Sequence, residues 1–238
     1  MPNVFITGAD RGLGLSLCKE YLNRGWRVFA GKYMEDFALL ESLAHPALHV
    51  IKLDIGCMKS IAAAKEAVLK VTNSLDMIVS NAALMGDVNC ELYKPPMDLE
   101  IPWDYFRINA LGTIKLVETL LPIMDQGEMK RLCFVSSEAG SITLMKHRGA
   151  HPFPYSMSKA AMNMGVRMLH NQLYKDGYSF RIIHPGWMKF RKQDGNLEES
   201  GRFDPDYIGQ WAAKYFETPR ADEHRLAMVD YREYDWPF

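Results

Sequence analysis

A phenol and an ammonium stand four residues apart in Tyr155-Ser156-Met157-Ser158-Lys159. In a helical segment that spacing puts both on one face, where the cation can favour ionisation of the phenol. Such a pair can take up and return a proton near neutral pH. The plainer reading is a helix face with one half-buried tyrosine and one solvated lysine. A second cluster, Thr7-Gly8-Ala9-Asp10-Arg11-Gly12-Leu13-Gly14, lies near the N-terminus. Its missing side chains permit a tight turn and let backbone N–H groups and a helix N-terminus approach a pyrophosphate.

Both clusters need elements to position them. The run Val4-Phe5-Ile6 is β-branched or aromatic and stops at Thr7-Gly8, as a buried parallel strand ending in a turn does. Apolar residues from Leu15 to Leu22, followed by Gly25, predict a helix with a C-terminal glycine. Trp26 to Ala30 predicts a second strand, so the chain opens on a βαβ unit. The alternation then repeats: a short helix over 37–44, strands over 48–53 and 75–80, and a helix over 59–72 between them. A long helix over 103–124 precedes a strand over 131–136. The Tyr155 segment predicts a helix to Tyr174, followed by a strand over 180–184, a helix over 206–216 and a last strand near 226–229. Such repetition implies an α/β fold, a parallel sheet covered on both faces. No repeat, low-complexity tract or linker interrupts it, which predicts one domain over residues 1–238.

Composition excludes several classes. With 238 residues and 48% hydrophobic content the chain can bury a sizeable core. A formal net charge of −1 gives no general electrostatic footprint for nucleic acid or an anionic membrane surface. Cys18, Cys57, Cys90 and Cys133 are scattered without CxxC spacing and read as reduced thiols. No signal peptide is expected at the N-terminus and no apolar run is long enough to span a bilayer, which points to a cytoplasmic protein. His147, His151 and His184 lack the carboxylate or cysteine spacing of a metal site, and no metal is expected.

The glycine spacing Gly8, Gly12, Gly14 together with Tyr155-x-x-x-Lys159 resembles the short-chain dehydrogenase/reductase family. Five further fragments fall in family order: Asp54-Ile55, Asn81-Ala82-Ala83, Asn109, Ser136-Ser137 and Pro185-Gly186. The resemblance covers nearly the whole chain. It implies a single doubly wound Rossmann-type domain with a mostly parallel central sheet of about seven strands.

Charge bears on the dinucleotide. A carboxylate about 20 residues after the glycine turn would hydrogen-bond the ribose 2′-hydroxyl of NAD and repel a 2′-phosphate. Here that place reads Ala30-Gly31-Lys32-Tyr33, with no acid before Glu35. Arg11 and Lys32 can both face a 2′-phosphate, although either would also serve as an exposed charge. A basic residue at the Arg11 position resembles NADP-preferring family members, so NADP(H) is expected over NAD(H).

The resemblance implies the remaining roles. Asp54 and Ile55 would contact the adenine, and Asn81 with Ala82 would hold the backbone beside its ribose. Ser137 would hydrogen-bond the substrate oxygen, Tyr155 would act as general acid/base, and Lys159 would tune Tyr155 and bind the nicotinamide ribose. Asn109 would complete a proton relay to the lysine. Pro185, Gly186 and backbone amides near Met188 would meet the nicotinamide end. The expected activity is hydride transfer between nicotinamide and a small carbonyl or alcohol, by a homodimer or homotetramer.

Beyond Asn81-Ala82-Ala83, which adds a methyl group to the usual Asn-Ala-Gly, two places depart from the family. The stretch from Ser137 to Tyr155 is longer than usual, with the extra residues in 146–154 beside the expected substrate mouth. Phe190 stands where family members often carry a threonine that binds the nicotinamide carboxamide. These departures support an alternative, a dinucleotide-binding sensor or scaffold without turnover. A sugar-nucleotide epimerase or dehydratase shares the Tyr-Lys pair but usually spaces its glycines differently.

Overall fold

The computed structural model describes residues 1–86, 100–145 and 153–238. Cys90, His147, His151 and most of the 146–154 insertion lie outside the described residues.

Side chains alternate between two apolar cores along each central strand, as the two-residue period of a pleated strand requires. In β1 (Asn3–Thr7), Val4 and Ile6 enter one core while Phe5 enters the other. In β5 (Arg131–Val135), Cys133 and Val135 side with Val4, and Leu132 and Phe134 with Phe5. Both faces are therefore covered by helices. The Val4 face carries α1 (Gly12–Asn23) and α6 (Pro205–Glu217). The Phe5 face carries α2 (Met58–Leu69), α4 (Thr113–Met124) and α5 (Phe153–Leu173).

The remaining strands are β2 (Arg27–Lys32), β3 (Leu48–Lys52), β4 (Met77–Ser80), β6 (Ser179–His184), β7 (Met228–Asp230) and β8 (Asp235–Trp236). Their order in the sheet is β3-β2-β1-β4-β5-β6-β7-β8. All pairings through β7 are parallel, and β8 returns antiparallel. The chain runs outward from β1 to β3, then resumes on the other side of β1 with β4. That reversal opens a crevice at the carboxyl ends of the strands, where doubly wound sheets bind ligands.

The fold class is as expected, with three local differences. The sheet has an eighth strand in the C-terminal segment, where Trp236 and Phe238 pack against the Phe5-side core. The helix predicted over 37–44 shortens to a single 3-10 turn, Glu41–Leu43. Ala44 adopts φ 43°, and the proline after His45 disfavours helical backbone there. The long helix begins as α3 (Ile101–Tyr105) and passes through a π-helical stretch, Phe106–Gly112, before α4. Among the described residues no helix is long and apolar enough to cross a membrane, and no group of three or more His, Cys, Asp or Glu could hold a metal ion.

Candidate active site

The phosphate end forms where β1 gives way to α1. Gly12, the first residue of α1, has φ 55°, a left-handed backbone that a side chain would strain. Gly14 is needed for close approach, since a Cβ there would lie 2.1 Å from the Gly8 carbonyl oxygen. Asn81 fixes the turn from across the crevice, its Nδ2 donating to the carbonyls of Thr7 at 2.9 Å and Gly8 at 3.0 Å. Thr7 Oγ1 in return accepts the backbone N–H groups of Asn81 and Ala82, each at 2.9 Å. The Asp10 carboxylate accepts the N–H groups of Tyr33, at 2.8 Å, and Met34, tying the turn to the loop after β2. Asp54 accepts the Gly56 N–H at 2.8 Å and so shapes the loop after β3.

A cavity of about 900 Å³ joins this end to Tyr155. Gly8, Asp10, Arg11, Gly12 and Leu13 line it from the first turn, and Asp54, Ile55, Asn81 and Ala82 from the loops after β3 and β4. Ser137, Tyr155, Lys159, Pro185, Gly186 and Met188 line the other end. Gly14, Lys32 and Asn109 do not line it; Lys32 lines a smaller hollow that shares Tyr33 and Met34 with it. Gly14 packs α1 against the turn itself, and Lys32 forms an ion pair with Glu41 at 2.7 Å.

The reacting end is buried polar machinery. Tyr155 and Lys159 lie on one face of α5, both buried. Lys159 Nζ donates to the Val135 carbonyl at 3.0 Å and sits 6.0 Å from the Tyr155 ring centroid. Burial lowers the lysine from its ordinary 10.5 to about 8, the cost of removing an ammonium from water. Burial also pushes the Tyr155 phenol up, with a hydrogen bond to Ser137 pulling it down and the Glu138 carboxylate adding to the rise. Here the sequence expectation changes: burial, and not the neighbouring ammonium, dominates the phenol.

Asn109 lies in the π-helical stretch, fully buried. Its amide donates to the Leu84 carbonyl and to Ser158 Oγ, both at 2.9 Å, while its oxygen accepts the Leu84 N–H at 2.7 Å. Ser158 Oγ bonds the Tyr155 carbonyl at 2.8 Å. Asn109 thus clamps the loop after β4 to the turn of α5 that carries Tyr155.

Sequence reasoning passed over Ser158 and Asn163. Asn163 accepts from Ser136 Oγ at 2.7 Å and donates to the Gly140 carbonyl at 3.1 Å, bracing the Ser136-Ser137 segment. Both residues fall on the stripe of Tyr155 and Lys159 at helical spacing, so the periodicity that found the pair was the signal for them. His184 and Glu138 also line the cavity, and His184 Nδ1 accepts the Glu138 N–H at 3.1 Å.

The family model of short chain dehydrogenases matches residues 2–199. The chain belongs to the short-chain dehydrogenase family. An uncharacterized oxidoreductase of Schizosaccharomyces pombe is 31% identical to this short-chain dehydrogenase over 235 residues, covering 95% of this chain and 89% of the yeast protein. A Burkholderia multivorans family member solved with bound NADP aligns with TM-score 0.81 and 25% identity, over 100% of this chain and 99% of that one. NADPH-bound carbonyl reductase from chicken fatty liver aligns with TM-score 0.85 and 24% identity, over 100% and 99% of the two chains.

Proposed function

We propose that this oxidoreductase moves a hydride between NADP(H) and a small carbonyl or alcohol, as one dinucleotide-binding and catalytic domain over residues 1–238. The observation that carries the reading is a single cavity with the glycine turn at one end and the Ser137, Tyr155 and Lys159 side chains at the other. Its cradle fits a dinucleotide: a side chain at Gly12 would be strained and one at Gly14 would collide with backbone. Gly8, Gly12 and Leu13 would meet the pyrophosphate, Asp54 and Ile55 the adenine, and Lys159 the nicotinamide ribose. Arg11 would meet a 2′-phosphate, and the NADP-bound Burkholderia structure supports that choice. Lys32, paired with Glu41, keeps two further N–H donors with which to join it.

When bound, the nicotinamide supplies or accepts the hydride; the chain's own residues handle oxygen and proton. Ser137 holds the substrate oxygen by a hydrogen bond. The Tyr155 phenol gives its proton to the alkoxide oxygen formed on reduction, or takes the hydroxyl proton in the reverse direction. Burial raises the phenol's pKa, so at neutral pH it stands in the protonated form that reduction draws on. Lys159 presents its cation to this site, and Asn109 keeps the Tyr155 turn in place.

The test is a panel of aldehydes, ketones and quinones mixed with the protein and NADPH. Loss of nicotinamide absorbance is expected with at least one. Tight NADPH binding without turnover across the panel would replace this reading with the sensor.

A further inference from the structure

Arg11 has more than a phosphate to face. Its guanidinium carbon lies 5.3 Å from the Phe37 ring centroid and 5.5 Å from that of Phe190, inside the range where a cation is drawn to an aromatic face. The two rings come from opposite halves of the sheet. Phe37 is buried in the loop after β2, next to β1, whereas Phe190 follows β6, with β4 and β5 between that strand and β1. They meet on one side chain at the wall of the cavity.

Phe190 is also placed by its backbone. Between β6 and α6 the chain folds on itself as a strap: Lys189 N–H donates to Phe203 at 2.8 Å, Phe203 N–H to Trp187 at 3.0 Å and Glu198 N–H to Phe190 at 2.8 Å. Arg191 ties the strap down by donating to the Gly195 carbonyl and the Asp206 carboxylate, each at 2.9 Å. A Cβ on Gly195 would fall 3.7 Å from Leu39, so the strap reaches the same loop that carries Phe37.

We propose that Phe190 determines cofactor specificity by acting through Arg11. With Phe37 it holds the guanidinium at the adenosine end of the cavity, ready for a 2′-phosphate. An arginine ordered before binding loses less freedom when the phosphate arrives, and only NADP(H) carries that phosphate. This inference rests on the cofactor reading above and assigns the ring a different task from the carboxamide-binding threonine it replaces.

The experiment is equilibrium binding of NADPH and NADH to the wild-type chain, Phe190→Ala, Phe190→Trp, Arg11→Ala and the Arg11→Ala/Phe190→Ala pair. Phe190→Ala should weaken NADPH about fivefold and NADH by less than about twofold. Phe190→Trp should retain wild-type affinity. In the Arg11→Ala background, Phe190→Ala should change nothing further, because the ring works only through the guanidinium. Equal losses for both nucleotides, or an undiminished Phe190→Ala effect without Arg11, would overturn the inference while leaving the cofactor reading standing. A wild-type chain that binds neither nucleotide would overturn both. Melting curves of each variant separate loss of binding from loss of fold.

Discussion

The two ends of the cavity are made of different materials. At the phosphate end, backbone does the work: glycines with no Cβ, carbonyls gathered by Asn81, and a helix start. At the reacting end, buried polar side chains do it, with Asn109, Lys159, Tyr155 and Ser137 at 0%, 2%, 6% and 7% exposure. Backbone shape at the first end serves stability and binding together. An ammonium buried at the second end opposes stability, because desolvation disfavours its charge.

Substitutions should therefore separate the two ends by sign. The largest combined change in stability and rate is expected for Lys159→Met, which keeps length and removes charge. The lysine's shift from 10.5 to about 8 corresponds to a cost of about 3 kcal/mol at neutral pH. Losing the bond to Val135 returns about 1 kcal/mol of that. The variant should melt roughly 5 °C higher while its reductase rate falls at least about a hundredfold. Melting curves and turnover on the same samples check both; a lower melting temperature would break the comparison.

Gly14→Ala should behave in the opposite way. The added methyl meets backbone at 2.1 Å, so the turn must shift, at a cost of about 1–3 kcal/mol. Chemical denaturation should show that loss, and NADPH affinity should fall with it. Stability retained alongside weakened binding would mean that the turn is less tightly packed than the geometry indicates.

The third contrast is a pH dependence. A lysine whose folded value is depressed gives up its proton first in the folded state. Between pH 8 and 10.5 the unfolded chain binds more protons, so this group's contribution makes stability rise with pH across that window. In the proposed mechanism, reduction needs both the Tyr155 proton and the Lys159 charge. Its kcat/KM should be flat below pH about 8 and fall above it as the ammonium is lost. A profile that keeps rising through pH 9 would contradict the role given to Lys159.

The same contrast explains what the sequence could show. The phosphate end is local, and a tight turn between a strand and a helix can be read from Gly8, Gly12 and Gly14 alone. Tyr155 and Lys159 are also local, four positions apart on one helix. The partners of that pair are not. The Val135 carbonyl that receives Lys159 lies 24 positions away, and the Asn109 link to Ser158 spans 49. No periodicity announces such contacts. The sequence shows the charge of Lys32 but not its direction, which tertiary context sets, here with the Glu41 carboxylate as its partner. The eighth strand is two residues long and exists only because β7 offers it an edge. Phe190 marked a departure from the family, but its neighbour Arg11 became visible only when two distant loops were brought together.

The central proposal is that Tyr155, at the cofactor's nicotinamide end, handles the proton. The direct measurement is NADPH oxidation by Tyr155→Phe at neutral pH with a ketone or quinone that the wild-type chain reduces, alongside NADPH affinity on the same preparation. The account predicts a rate lower by about a thousandfold with affinity within about twofold of wild type. Turnover undiminished in Tyr155→Phe would contradict it.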